Sequence, residues 1–138
     1  MSRPDLLLDT SAAVALVLPG HDDHALVMDM VGERTLGLAG HAWFETYSVL
    51  TRLPPPARRS PREVARILAH DFPGTVALPD EASLGLTRLL PDRAVAGGAV
   101  YDALVGWAAV THDLPLLTLD MRSLHVYRAL EVRVELPA

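Results

Sequence analysis

Four carboxylates in this chain stand where chemistry is ordinarily placed rather than on a solvated face. Asp9 ends the run Leu6-Leu7-Leu8-Asp9 and is followed by two hydroxyls, Thr10 and Ser11. Asp120 ends Leu116-Leu117-Thr118-Leu119-Asp120, which repeats that construction. Glu45 lies inside the nearly apolar run Ala42-Trp43-Phe44-Glu45-Thr46-Tyr47-Ser48-Val49-Leu50, and Asp102 opens the apolar run that ends at Ala109. A carboxylate in such a context is costly unless it is paired or holds a metal. Four that converge would repel one another and raise their own pKa values, a conflict that a divalent cation resolves. Oxygen-only ligands suit magnesium, with manganese as a substitute. Cysteine is absent, no His-x-x-x-His pattern occurs and His112 is isolated, so nothing favours zinc. Each acid also has an ordinary reading. Asp9 could cap a helix, Glu45 could pair with Arg52 or Arg34, Asp102 could meet a helix dipole, and Asp120 could make a plain turn.

An all-carboxylate magnesium site suits phosphoryl chemistry, because the ion activates water and offsets charge on phosphate oxygens. The chain has no Gly-rich Walker loop and no lysine, which speaks against an NTPase, and no G-x-G-x-x-G supports a dinucleotide site. A phosphatase with a covalent aspartyl intermediate would want an Asp two residues beyond its nucleophile, and residue 11 is Ser. Phosphodiester hydrolysis is the chemistry that remains.

These residues need elements to position them. Residues 5–9 read as a buried strand, with Ser11 or Thr10 capping the helix that follows and Pro19-Gly20 ending it. A second helix is expected over residues 21–33, a second strand over 35–38 and a third helix over 41–53, stopped by Pro54-Pro55-Pro56. Ser60-Pro61-Arg62-Glu63 is a capping box that starts a helix ending near His70. A third strand is expected over residues 75–78, then a helix to about Leu90 and another over 99–110. A fourth strand over 116–119 leads to a short helix over 123–130 and an alternating edge strand over 132–136. The pattern predicts a single domain over residues 1–138, a three-layer α/β/α fold with a mostly parallel central sheet of four to five strands. In such sheets ligands bind at the carboxyl ends of the strands, where Asp9 and Asp120 fall.

Composition limits the alternatives. The chain has 138 residues, half of them hydrophobic, and a formal net charge of −5, which speaks against nucleic-acid binding by bulk attraction but not against a nuclease. Arginine carries all the basic charge, and Arg52, Arg58, Arg59, Arg62 and Arg66 form a local stretch that is either an RNA track or a solvated surface. Neither a secretory leader nor a membrane-spanning run is recognisable, so the expected location is the cytoplasm.

The four acidic segments, in this order and with these helices around them, resemble the PIN-domain ribonucleases, specifically the VapC toxins of bacterial toxin–antitoxin pairs. Leu7-Leu8-Asp9-Thr10-Ser11-Ala12 is similar to the first acidic motif, Trp43-Phe44-Glu45-Thr46 to the second and Tyr101-Asp102-Ala103-Leu104 to the third. Leu117-Thr118-Leu119-Asp120-Met121-Arg122, with Tyr127 beyond, is similar to the fourth, and the closing 132–136 segment also fits. The resemblance implies that Asp9, Glu45, Asp102 and Asp120 hold magnesium or manganese, with Asp120 the most variable of the four. It implies that Thr10 or Ser11 positions a ligand or water, and that Arg122 contacts RNA phosphate or antitoxin. The implied activity is endoribonucleolytic cleavage of RNA, such as transfer or ribosomal RNA, leaving a 3′-hydroxyl and a 5′-phosphate. The implied partners are a cognate antitoxin and a second copy in a homodimer, with a toxin–antitoxin hetero-oligomer as the larger assembly. Met28, Met30, Val31, Trp43 and Tyr47 could form an interface or pack the core. The alternative is a non-catalytic RNA- or protein-binding PIN-like protein with an incidental acid cluster.

Overall fold

The computed structural model describes residues 3–138. Leu6, Leu7 and Leu8 are wholly buried and form β1 (Leu6–Leu8), one of two inner strands of a four-stranded sheet. A strand covered on both faces needs apolar residues at successive positions, which is what these three leucines supply. Leu6 and Leu8 pack into one half of the core and Leu7 into the other, as the strand's alternation requires.

The chain continues through α1 (Thr10–Val17) and α2 (His24–Val31) to β2 (Leu36–Leu38), which pairs with β1 in parallel. Then come α3 (His41–Thr51), α4 (Pro61–Asp71), α5 (Asp80–Asp92) and α6 (Ala99–Thr111). They lead to β3 (Leu116–Leu117), which returns to the other side of β1, and α7 (Leu124–Ala129) connects to β4 (Val134–Glu135). All pairings are parallel and the strand order is β2-β1-β3-β4, so the connections diverge between β1 and β3. That switch point opens a crevice at the strands' carboxyl ends. Helices α1, α2 and α4 cover one face and α5, α6 and α7 the other, while α3 contributes Leu50 to the first half of the core and Ala42 to the second. This is the three-layer α/β/α architecture that the pattern of apolar runs predicts.

Two expectations need correction. The cap of α1 is neither Ser11 nor Thr10 but Asp9, whose side chain accepts from the backbone N–H of Ala12. Residues 75–78 do not make a strand, only a single bridge between Val76 and Ala39. The segment does run along β2, with Gly74 N donating to Leu36 O and Val76 N to Leu38 O. Between those bonds, however, the Thr75 hydroxyl takes the N–H of Leu38, so a side chain replaces a ladder carbonyl. Gly37 permits this close approach, since a Cβ there would land on the Gly74 carbonyl. Of the five residues named for an interface or for core packing, Val31 is core and Met30, Trp43 and Tyr47 pack against core, while Met28 is half exposed.

The Ser60 capping box forms as expected, with Ser60 Oγ accepting from Glu63 N and the Glu63 carboxylate accepting from Ser60 N. The basic stretch leaves Arg52, Arg58, Arg62 and Arg66 exposed. Among the described residues no helix is long and apolar enough to cross a membrane.

Candidate active site

The register of β1 with β3 sets Leu8 beside Leu117, so the two strands end together and their acids share one rim. Asp9 leaves β1 directly and Asp120 follows β3 after Thr118 and Leu119. Glu45 reaches the same place from α3, one turn beyond His41, and Asp102 from the first turn of α6. All four line one cavity of about 70 Å3, together with Thr10, Ser11, Val105, Ser123 and Tyr127.

Asp9 is the most enclosed of the four, 4% exposed, and it is met by donors on both oxygens. Its Oδ1 accepts from Ser11 Oγ at 2.6 Å and from Ala12 N at 3.2 Å. Its Oδ2 accepts from the hydroxyls of Thr118 and Tyr127, the latter at 2.9 Å. Four protein donors thus meet its two oxygens. This explains how a carboxylate is tolerated at the buried end of a central strand. Burial and the adjacent Asp9 push the Tyr127 hydroxyl far above its ordinary pKa, so it stays a donor. Tyr127 is itself held against α6, where a Cβ at Gly106 would come within 3.0 Å of its ring.

Glu45 and Asp102 are half-buried and less well served. Glu45 Oε2 accepts from Thr10 Oγ1 at 3.3 Å, and Oε1 lies 3.2 Å from His41 Nε2. Neither Arg34 nor Arg52 pairs with it. Arg34 instead makes a two-pronged contact with Glu135 of β4, both bonds at 2.9 Å. Burial raises the Glu45 pKa above the usual carboxylate range, Asp102 and Asp9 add to the effect, and His41 and Thr10 oppose it. Burial likewise raises Asp102, with Asp120 and Asp9 adding. Ser123, which donates to Asp120 Oδ2 at 3.2 Å, also favours the charged form of Asp102, and its single proton serves one carboxylate at a time.

Asp120 is in the opposite condition. Burial works upward on it, but the backbone and side chain of Arg122 and the Ser123 hydroxyl outweigh burial and lower its pKa. Its Oδ1 accepts from Arg122 N at 2.9 Å and caps the short 3-10 turn Met121–Ser123. The Arg122 guanidinium is 93% exposed and touches Asp120 only at 3.3 Å, which leaves it facing solvent at the rim.

The ligand atoms around the cavity are oxygens, and burial raises the pKa of two of its carboxylates, Glu45 and Asp102. That suits a hard divalent cation, with room for an ion and a water. Among the described residues no three His, Asp or Glu side chains form a ready-made metal cluster, and the Asp9 carboxylate is held by the hydroxyls of Ser11, Thr118 and Tyr127. The predicted site residues Asp9, Thr10, Ser11, Glu45, Asp102 and Asp120 all line the cavity, and Arg122 stands on an adjoining one beside Asp120. Sequence reasoning gave no role to Thr118, Ser123, Tyr127 or His41. A lone threonine inside a leucine strand, a histidine one turn before Glu45 and a tyrosine within an otherwise apolar helix face were the available signals.

The PIN-domain family matches residues 6–129. The ribonuclease VapC27 of Mycobacterium tuberculosis is 41% identical over 136 residues, covering 99% of each chain. The ribonuclease VapC40 of the same organism is 43% identical over 129 residues, covering 93% of this chain and 96% of that one. Among solved structures, VapBC2 of Rickettsia felis bound to a DNA fragment from its promoter superposes with a TM-score of 0.68 at 12% identity, over 95% of this chain and 97% of that one. The M. tuberculosis toxin VapC20, which cleaves the sarcin–ricin loop, gives 0.66 at 17% identity, over 84% and 90%.

Proposed function

This chain belongs to the PIN-domain family, among the VapC-type ribonuclease toxins, and from that premise we propose that it is a metal-dependent endoribonuclease acting through Asp9, Glu45, Asp102 and Asp120. The observation that carries this reading is the convergence of the four carboxylates, from two strand ends and two helices, on one small cavity.

In this reading the residues divide the work. Asp9 is the fixed ligand, because four donors hold its carboxylate in one orientation before anything binds. Glu45 and Asp102 supply the negative charge that draws a cation in, since burial leaves both poorly solvated. Asp120 closes the rim while remaining ionised through Arg122 and Ser123. Thr10 orients Glu45 and Ser11 orients Asp9, roles that place both hydroxyls behind carboxylates rather than on substrate. Arg122 reaches into solvent at the mouth, where an RNA phosphate or an acidic group of an antitoxin could meet it. Magnesium, or manganese in its place, would supply an activated water and would offset charge on the scissile phosphate.

RNA and a cognate antitoxin are the partners that fit this reading, with transfer or ribosomal RNA the expected substrate class, a homodimer the expected assembly and a single domain over residues 1–138 the functional unit. The test is cleavage of total RNA with manganese, with magnesium and with chelator, by the wild type and by Asp9→Asn, with fragment ends mapped. Metal-dependent cuts at few positions are expected, falling by at least about 10²-fold in the variant, the scale seen when a preorganised charge-stabilising group is removed. Cleavage that persists in chelator or in Asp9→Asn would overturn the assignment. No cleavage together with no metal-dependent rise in melting temperature would favour the binding-only alternative.

A further inference from the structure

The acid cavity has two unlike flanks. On one side stand Asp120 and the exposed Arg122, beside a polar recess that also includes His21 and Asp23. Next to Glu45 and Asp102, α3 carries His41 and α6 carries Tyr101. His41 and Tyr101 stack with ring centroids 5.3 Å apart and planes 22° from parallel. Tyr101 immediately precedes Asp102, and His41 contacts Glu45 through Nε2 at 3.2 Å. The stacked pair is therefore tied to Glu45 through the His41 ring and to Asp102 through the backbone of α6. Beyond it lies a groove of about 680 Å3 lined by His41, Trp43, Phe44, Val76, Leu78 and Leu104 among others, with no Asp, Glu or Arg in its wall.

Tyr101 is 55% exposed although one of its faces is covered by His41, so its other face is open to solvent. Phosphates are repelled along this flank, since its nearest charges are Glu45 and Asp102 and its wall holds no arginine. A nucleobase is not repelled. Unpaired bases are recognised by stacking on aromatic rings, and a base lies within one nucleotide's reach of its own phosphate.

We propose that Tyr101, backed by His41, is the stacking platform for an unpaired base next to the scissile phosphate, so that RNA lies across the site with a base on the aromatic flank and backbone on the Arg122 flank. The inference rests on the nuclease reading above and adds a substrate requirement to it: the nucleotide on that side of the cut must be unpaired and must carry a base. The platform acts on binding and positioning, and the carboxylates act on the bond.

The experiment uses single-stranded RNA oligonucleotides spanning a cut site mapped with the wild-type protein, each carrying 2-aminopurine at one position flanking the cut. Binding and cleavage are measured for the wild type, Tyr101→Leu and Tyr101→Phe, with melting temperature as the folding control. Fluorescence quenching is expected at one flanking position only. Tyr101→Leu should abolish it and raise KM by between about fivefold and a hundredfold, the span of one base–aromatic stack, with little change in kcat. Tyr101→Phe should retain both quenching and KM, which a role for the hydroxyl would not allow. An abasic nucleotide at the quenched position should reproduce the KM defect in the wild type and add nothing in Tyr101→Leu. If Tyr101→Leu keeps quenching and KM while the wild type cleaves, the platform is overturned and the nuclease stands. If the same variant weakens only capture of an antitoxin peptide, the ring belongs to a protein interface and the proposal again falls. If the wild type neither binds nor cleaves RNA, the nuclease reading fails and takes the platform with it.

Discussion

Asp9 and Asp120 follow neighbouring strands and are each met by several hydrogen-bond donors, whereas Glu45 and Asp102 ride on helices and are met by fewer. The four share one cavity, so their difference does not come from position alone. At a strand's carboxyl end the chain turns, and the turn offers free N–H groups and hydroxyls: Ala12 N and Ser11 Oγ for Asp9, Arg122 N for Asp120. In the body of a helix, where Glu45 lies, the backbone N–H groups are already taken, so that acid depends on side chains, and Asp102, in the first turn of α6, is likewise served by a side chain. Neighbouring elements bring one threonine to Glu45, with His41 from its own helix, and to Asp102 a serine shared with Asp120. Strand-end acids are thus built to hold a geometry, and helix-borne acids to hold uncompensated charge.

The sharpest way to break this contrast is to remove a distant donor from Asp9. Tyr127→Phe deletes a buried hydroxyl that bonds the carboxylate and leaves the ring in place. Hydrogen bonds to charged groups are worth about 1.5–3 kcal/mol, so melting temperature should fall by roughly 4–12 °C. Metal-dependent cleavage should fall by about 10–100-fold, as it does when a ligand's supporting shell is lost. Unchanged cleavage would mean that Asp9 does not need to be held.

The helix-borne pair should behave in the opposite sense. Their pKa values are raised in the folded protein, so folding takes up protons and metal-free stability falls as pH rises from the ordinary carboxylate range through the raised values. Glu45→Gln and Asp102→Asn should each flatten that slope and, without metal, raise melting temperature by about 1–2 °C, a small gain because both sites are partly screened by solvent. Manganese at a hundred times its dissociation constant should stabilise the wild type by about 2.7 kcal/mol and each variant by clearly less. A thermal-shift series over pH, with and without manganese, measures both effects, and a destabilised metal-free variant would refute the assignment.

The smallest effect should come from the rim. Asp120 has a lowered pKa, so it contributes stability above the ordinary carboxylate value that is lost as pH falls through the lowered one. Its partner Arg122 is almost fully exposed, and Arg122→Ala should change stability by less than about 0.5 kcal/mol. If Arg122 meets an RNA phosphate, the slope of log affinity against log salt should lessen by about 1 across RNA sequences. An unchanged slope would remove Arg122 from the RNA contact.

Much of this protein is legible in local stretches of its sequence. Three successive leucines before Asp9, and the same construction before Asp120, specify buried parallel strands with acids at their carboxyl ends, because only a strand covered on both faces tolerates such runs. Ser60-Pro61-Arg62-Glu63 specifies its helix start, because the capping box is closed within four residues. The segment over 75–78 misleads because its β-forming residues do run along β2, while the Thr75 side chain intercepts the bond that a strand would need. The N–H in that bond belongs to Leu38, 37 residues away, and leaves no mark in the local pattern.

Sequence by itself determined which acids end strands and which ride on helices, since that follows from periodicity and turn chemistry within a dozen residues of each. Only the tertiary structure decided which donors meet them. Thr118 and Tyr127 reach Asp9 from 109 and 118 residues away, and Arg34 is drawn to Glu135 and not to Glu45. A carboxylate's energy is set within a few ångströms by the donors and charges around it, and the order of residues along a chain does not fix those distances until the sheet has closed.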